Sequence, residues 1–406
     1  MELKAGYKQT EVGVIPIDWE VKSLGDIGAF KNGINKSFED FGFGFPFANL
    51  MDVFGKSSIV SNKNFGLINS NDFERKLYNL QEGDVLFIRS SVKPTGVGLT
   101  CVIENNLIDT VFSGFIIRFR NNGYLSKEFK RHCFYSERFR NSIIGSSTVS
   151  ANTNINQDSL KKLLIPIPPS LKEQTVIATV LSDTDAWITS LEQLIAKKSL
   201  LKQGVMQQLL QPKEGWEVKK LGDVCDVIIG LTYSPNDVRD HGTLVLRSSN
   251  IQNNKLAFEN NVFVEMDLPQ RVIVKEKDIL ICVRNGSKKL IGKCALIDKK
   301  TEGQAFGAFM AIIRSDLNKY IYYYFLSNHI QIQIDENMGA TINQLTNATL
   351  KSFEIHMPNK QEQTRIANIL SDMDAEITVL ETKLEKAKKI KLGMMQELLT
   401  GKIRLV

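Results

Sequence analysis

Four polar loops carry the side chains in this sequence whose types and spacing could do chemistry. "RSSVKPTG" supplies Arg89, Ser90, Ser91 and Lys93, and "GSSTVSANTNINQ" supplies Thr148, Asn152 and Asn154. The second half repeats the palette, with Arg284, Asn285, Lys288 and Lys289 in "RNGSKKL" and Thr341, Asn343 and Gln344 in "GATINQ". An arginine can bond both acceptors of guanine, an asparagine or glutamine can bond adenine twice, and lysine adds charge opposite phosphate. Read blandly, the same stretches are solvated loops in which Asn and Ser form turns.

Catalytic chemistry finds less support. The chain has no G-x-x-x-x-G-K-[ST] phosphate loop, and "GVG" at Gly96–Gly98 lacks the third glycine of a dinucleotide fingerprint. A DNA amino-methyltransferase needs Asn or Asp before Pro-Pro and an aromatic, and the "IPIPP" at Ile165 does not supply it. "PIDWEVK" from Pro16 resembles the acid-acid-lysine cluster of metal-dependent nucleases, but Asp18 and Glu20 are too close together for the usual pair, and the later copy has Gly215 in place of Asp18. Cys101, Cys133, Cys225, Cys282 and Cys294 never form C-x-x-C, and the four histidines are scattered, so buried free thiols are expected rather than disulfides or zinc. No catalytic residue and no metal site is assigned, and the chain is read as non-enzymatic.

Composition sets the bounds. A chain of 406 residues exceeds one ordinary core. No apolar run approaches the roughly 18 residues of a membrane span, and "MELKAGYKQTEVG" has no export signal, so a soluble cytoplasmic protein is expected. A net charge of +6 leans toward a polyanionic partner without establishing one.

The loops sit within a repeat. "QTVIATVLSDTDAWITSLE" from Gln174 returns as "QTRIANILSDMDAEITVLE" from Gln363, and "DWEVKSLGDI" from Asp18 returns as "GWEVKKLGDV" from Gly215. Between them only fragments match, among them "GDVLFIRSS" with "KDILICVRNGS" and "FSGFIIRF" with "FGAFMAIIR". The layout is therefore a divergent domain over 1–165, a helix over 166–212, a second divergent domain over 213–357 and a near-copy of the helix over 358–406. Short β-branched and aromatic runs between Gly, Asn and Ser clusters predict α+β domains with a mainly antiparallel sheet.

The helices are the clearer elements. Ile366, Leu370, Met373, Ile377, Leu380, Leu384 and Ala387 step by 4,3,4,3,4,3, and Ile177, Leu181, Thr184, Ile188, Leu191, Ile195 and Lys198 form a weaker copy. That is a coiled-coil seam. If each domain's entry and exit are close together, the second helix runs antiparallel to the first, with the two domains at opposite ends of the pair and an approximate twofold between the halves. Trp187 and Leu194 lie off the seam, and Gly204 and Gly393 hold matched positions inside helices, where glycine costs about 1 kcal/mol relative to alanine. All four are candidate partner contacts, weighed against packing for the first two and inheritance by duplication for the glycines.

This ordered set resembles the specificity subunits of type I restriction-modification systems. The resemblance covers essentially the whole chain and rests on "EQT" at Glu173–Thr175 and Glu362–Thr364, the two "LSD" stretches, the endings "MQQLL" and "MQELL", and the "PIDWEVKSLGD" type of domain entrance. It implies a DNA-reading subunit whose two target recognition domains each take one half of a split double-stranded target, while the helices set the gap. It also implies two methyltransferase subunits docked on the chain and restriction subunits that join them. S-adenosylmethionine, ATP and Mg²⁺ would then belong to those partners and no cofactor to this chain. A duplicated adaptor that binds proteins through its domains is the competing expectation.

Overall fold

The computed structural model describes residues 5–338 and 343–405. They form two compact units, one of residues 1–192 with 382–406 and the other of residues 193–381. Each long helix, α1 (Leu171–Leu209) and α2 (Lys360–Leu398), therefore contributes to both units.

In the first unit a five-stranded sheet runs in the order Gly28–Asn32, Ile116–Asn121, Val85–Ile88, Thr100–Ile103, Ser58–Ile59. All pairs are antiparallel except the last. "VLFI" is buried at every position because both faces of the sheet are covered. Val85 and Phe87 point into a core with Phe119, Phe134 and Phe139, while Leu86 and Ile88 point into a second with Ile103, Phe112 and Ile116. The first core extends onto Ile177, Ala178 and Leu181 of α1 and Met395, Leu398 and Leu399 beyond and within the end of α2.

The second unit repeats the scheme with four antiparallel strands ordered Asp226–Ile229, Met310–Arg314, Ile279–Cys282, Cys294–Leu296. Its core takes in Ile366, Ala367 and Leu370 of α2. The helix Asn318–Phe325 carries four buried tyrosines, and each hydroxyl has a partner: Tyr320 donates to the His356 carbonyl at 2.6 Å, Tyr322 to the Asn254 carbonyl at 2.9 Å, and Tyr323 to Asp374 at 2.9 Å, while Tyr324 bonds His356 Nδ1 at 2.7 Å. Burial of a phenol costs little when its hydroxyl is bonded.

Entry and exit of each domain pair directly. Glu20–Ser23 lies antiparallel to Leu164–Ile167, and Glu217–Lys220 to Glu354–Met357. This explains the repeated "WEVK" entrance: it is the strand that closes the domain at the foot of its helix. Each helix then starts on a side-chain cap, Ser170 Oγ accepting from Glu173 N at 3.1 Å and Asn359 Oδ1 from Glu362 N at 2.9 Å.

The helices run antiparallel within each unit. In the first, Asp185 meets Lys391 and Glu192 meets Lys388; in the second, Lys198 meets Glu376 and Lys202 meets Asp374. Every seam position read from the sequence is buried or half-buried.

The chain's C-terminal residues return to the first domain. Gly401 takes a left-handed conformation at φ +68°, and the Tyr7 hydroxyl donates to the Gly401 and Lys402 carbonyls at 3.2 and 3.0 Å. Arg404 bonds both oxygens of Asp18 at 2.8 and 2.9 Å. Asp18 is thus occupied in an ion pair, and Glu20 pairs with Lys22 at 3.0 Å along the same strand, which accounts for the nuclease-like cluster as surface structure.

All five cysteines are buried free thiols, and burial pushes those of Cys101, Cys225 and Cys294 up to about 12.

Candidate nucleic-acid interface

In the first unit the two candidate loops are one structure. Ser90–Ser91 pairs with Thr153–Asn154, which pairs in turn with Thr148–Val149, giving a three-stranded ribbon that gathers Ser90, Ser91, Thr148 and Asn154, with Asn152 at its turn. Arg89 anchors the ribbon to the main sheet. Its N–H donates to the Phe115 carbonyl at 2.9 Å, its carbonyl accepts from Ile155 N at 3.0 Å, and its guanidinium reaches the Gly114 carbonyl at 3.2 Å. Lys93 is exposed and makes no side-chain hydrogen bond or ion pair among the described residues. Ser90, Ser91, Lys93 and Asn152 line a cleft of ≈ 460 Å³ whose apolar wall includes Met51, Phe54 and Phe115.

The second unit builds the same junction more tightly. Arg284 bridges Gln344 across an antiparallel pair, Asn285 N donates to the Asn343 carbonyl at 3.3 Å, and Asn343 Nδ2 donates to the Gly286 carbonyl at 3.1 Å. Asn285 also donates to Ser248 Oγ at 3.1 Å and accepts from Ser287 N at 3.0 Å, so its amide holds the loop's shape. Lys288 and Lys289 lie on an exposed 3-10 turn and, like Lys93, have no side-chain partner among the described residues. Thr341 lies outside the described residues.

The loops correspond, but the two arginines do not. The Arg89 and Val283 carbonyls accept from Ile155 N and Leu345 N, and the residues before them pair alike, Ile88 N with the Leu99 carbonyl and Cys282 N with the Lys293 carbonyl, while the Phe309 carbonyl accepts from both Val283 N and Arg284 N where that of Phe115 accepts from Arg89 N. Val283 is therefore the counterpart of Arg89, and Arg284 that of Ser90. Successive residues of extended chain point to opposite faces, so the one-residue shift presents the two guanidinium groups differently. Arg284 is exposed, with its guanidinium carbon 5.1 Å from the centroid of the Phe309 ring.

Sequence reasoning missed both phenylalanines. "FSGFIIRF" and "FGAFMAIIR" read as strands, and each instead begins with a tight turn that exposes Phe115 by 58% and Phe309 by 56%. The glycines inside these stretches were the available signal. It also missed Arg247 and Ser248, which line a second-unit cleft of ≈ 710 Å³ beside Phe309, Tyr233 and Pro235.

On the helices, Trp187 is 44% exposed and Leu194 is 38% exposed. Nothing stands within 4 Å of the position a Cβ would take at Gly204 or Gly393. The "EQT" signature acquires a physical reason in the first unit. Gln174 is buried, accepts from Ser126 N at 2.8 Å and donates to the Tyr124 carbonyl at 2.9 Å, fastening the domain to its helix. Among the described residues no group of three or more His, Cys, Asp or Glu side chains is placed to hold a metal ion, and no helix is long and apolar enough to cross a membrane.

A family model described as the type I restriction modification DNA specificity domain matches residues 16–202 and again 213–389. The type I restriction enzyme MjaVIII specificity subunit of Methanocaldococcus jannaschii is 23% identical over 426 residues, spanning 96% of this chain and 94% of its own. A crystal structure of a type I restriction-modification system S subunit from M. genitalium superposes with a TM-score of 0.55 at 13% identity, covering 98% of both chains. A chain from a study of complex assembly and conformational transition in a type I R-M system gives a TM-score of 0.58 at 17% identity, over 96% of this chain and 99% of that one. At these identities the two structural likenesses are likenesses of fold.

Proposed function

The chain belongs to the type I restriction-modification DNA specificity family, and from that premise we propose that its two units read the two halves of one split, asymmetric DNA target. It is a DNA sequence-specificity subunit with two target recognition domains. The observation that carries the reading is the repetition of one junction in both units. In each, a polar loop after a central strand meets a second polar loop, beside unpaired lysines. Lysines of that kind neutralise phosphates and give salt-dependent, sequence-independent affinity. Arg89, Ser90, Ser91, Thr148, Asn152 and Asn154 on one side, and Arg284, Asn343 and Gln344 on the other, are the groups that would meet base edges. Asn285, held by Ser248, supports the loop.

In this reading the chain performs no bond-making step itself. It positions two methyltransferase subunits on adenines of the target, and restriction subunits join the same assembly in the cytoplasm. S-adenosylmethionine, ATP and Mg²⁺ act in those partners. The exposed Trp187 and Leu194, with the open helix surface at Gly204 and Gly393, supply docking area for them. The family match favours this reading over an adaptor that binds only proteins.

Mapping methylated adenines across the genome tests it, in cells with the intact operon and in cells lacking this subunit. Loss of a single bipartite motif on deletion is the expected result. A methylation pattern indifferent to the deletion would refute the assignment.

A further inference from the structure

The two exposed phenylalanines are held by matched backbone frames. In the first unit Gly33 N bonds the Ile116 carbonyl at 3.1 Å, Ile34 N the Phe112 carbonyl at 2.8 Å, Gly114 N the Ile34 carbonyl at 2.8 Å, and Ile116 N the Ser113 carbonyl at 2.9 Å. In the second, Gly230 N bonds Met310 at 3.3 Å, Leu231 N bonds Phe306 at 2.7 Å, Ala308 N bonds Leu231 at 2.8 Å, and Met310 N bonds Gly307 at 2.8 Å. The Phe115 and Phe309 carbonyls are tied down as well, by Arg89 N and Val283 N. Packing leaves no slack: a Cβ on Gly33 would stand 2.1 Å from the Ser113 carbonyl oxygen, and one on Gly230 would stand 2.2 Å from that of Gly307.

So each ring is fixed at its root while more than half its surface meets solvent. Exposure of one apolar side chain is ordinary on a protein surface, so the observation that matters is its recurrence. Both halves of the duplication carry it at the same place, although the loops around it differ. Phe115 borders the cleft that Ser90, Ser91, Lys93 and Asn152 line, and Phe309 borders the cleft of Arg247 and Ser248, whose Ser248 Oγ accepts from the reading-loop Asn285.

Building on the DNA-reading function proposed above, we propose that Phe115 and Phe309 are specificity residues, each pressing its ring on the methyl group of a thymine in its own half-site. A benzyl group can neither donate nor accept a conventional hydrogen bond. The 5-methyl of thymine is the one apolar group on the major-groove edge of the four base pairs, so it is the feature such a ring can read. For Phe309, insertion between base pairs is disfavoured, because a wedge needs both ring faces free and the Arg284 guanidinium stands 5.1 Å from its centroid. Arg284 and Phe309 together offer neighbouring polar and apolar contacts.

The test uses the assembled methylation complex, wild type and with Phe115→Ala or Phe309→Ala, on duplexes carrying the mapped target. Thymines are replaced one at a time by uracil, which lacks only the methyl. In the wild type, one thymine of each half-site should weaken binding roughly fourfold when demethylated, the factor for returning one methyl to water. Phe115→Ala should abolish that sensitivity in the first half-site alone, and Phe309→Ala in the second alone. Phe→Leu variants, which remain apolar, should retain part of it. A wild-type complex indifferent to every uracil would overturn the proposal without any variant being needed. So would uracil and alanine effects that simply multiply, or alanine variants that weaken target and unrelated duplexes equally. A wild-type complex that prefers no bipartite duplex would instead sink the broader DNA-reading function.

Discussion

Arg404 closes a two-pronged ion pair on Glu173, Nε to Oε1 at 2.6 Å and Nη2 to Oε2 at 2.8 Å, across 231 positions of sequence. Glu173 is buried. The repeat does not copy the arrangement: Glu362 takes Arg365, three residues on, at 2.6 and 2.7 Å on the surface.

Arg404→Ala should therefore destabilise the first unit by about 1–2 kcal/mol, because it strands the buried Glu173 carboxylate although the guanidinium itself is exposed. Arg365→Ala should leave the melting temperature unchanged, as expected of an exposed pair. Thermal unfolding of the two variants makes the comparison, and equal effects would contradict it.

His132 supplies a pH dependence. Burial pushes its imidazole down to about 4, with Asp185 opposing and Lys391 and Arg131 reinforcing the shift, while Nε2 lies 2.9 Å from Ser182 Oγ. The unfolded chain binds this proton near pH 6.5, before the folded chain does. Stability from the neutral ring is thus complete above about pH 6.5 and lost as pH falls toward 4, by up to roughly 3 kcal/mol. Denaturant titrations at pH 7 and pH 4.5 should show the loss, and His132→Gln should shrink it.

The reading loops predict two kinds of variant. Lys93→Ala and Lys288→Ala should weaken binding to all duplexes and lower the salt slope by about one. Arg89→Ala and Arg284→Ala should each cost about 1–3 kcal/mol of discrimination, in different half-sites, if the side chains read bases. Affinities over a salt series on target and non-target duplexes separate the cases. Uniform weakening by an arginine variant would make it a phosphate contact.

Much of this was legible in the sequence, and the exceptions have physical reasons. The 4,3 stepping from Ile366 to Ala387 located the seam because helix burial repeats with a fixed period. The polar loops were legible because Asn, Ser and Gly break strand patterns. The one-residue shift between Arg89 and Arg284 was legible as well, because "GDVLFIRSS" laid ungapped on "KDILICVRNGS" puts Arg89 opposite Val283. The exposure of Phe115 and Phe309 was not, since their turns are set by backbone hydrogen bonds rather than by residue type. Nor did anything local show that residues 382–406 fold with the first domain: Tyr7, Asp18 and Glu173 meet Gly401 and Arg404 only in three dimensions.

The helices are expected to set the target's unspecified gap. Four residues inserted between the exposed Ser199 and Leu200 would lengthen α1 by about 6 Å, or one to two base pairs at about 3.4 Å each. A four-residue insertion is a stutter that a coiled coil absorbs by local unwinding. Methylation mapping should return both half-sites unchanged with a gap wider by one or two base pairs. Full activity at the original gap would show that the helices do not set it.

The central claim, that two domains read two half-sites independently, is tested most directly by exchanging residues 1–165 for the corresponding domain of a relative that keeps Tyr7 and Asp18, the partners of the C-terminal residues. Genome-wide mapping of methylated adenines is the measurement. The account predicts that one half of the recognised sequence changes while the other half and the gap persist; a change in both halves at once would contradict it.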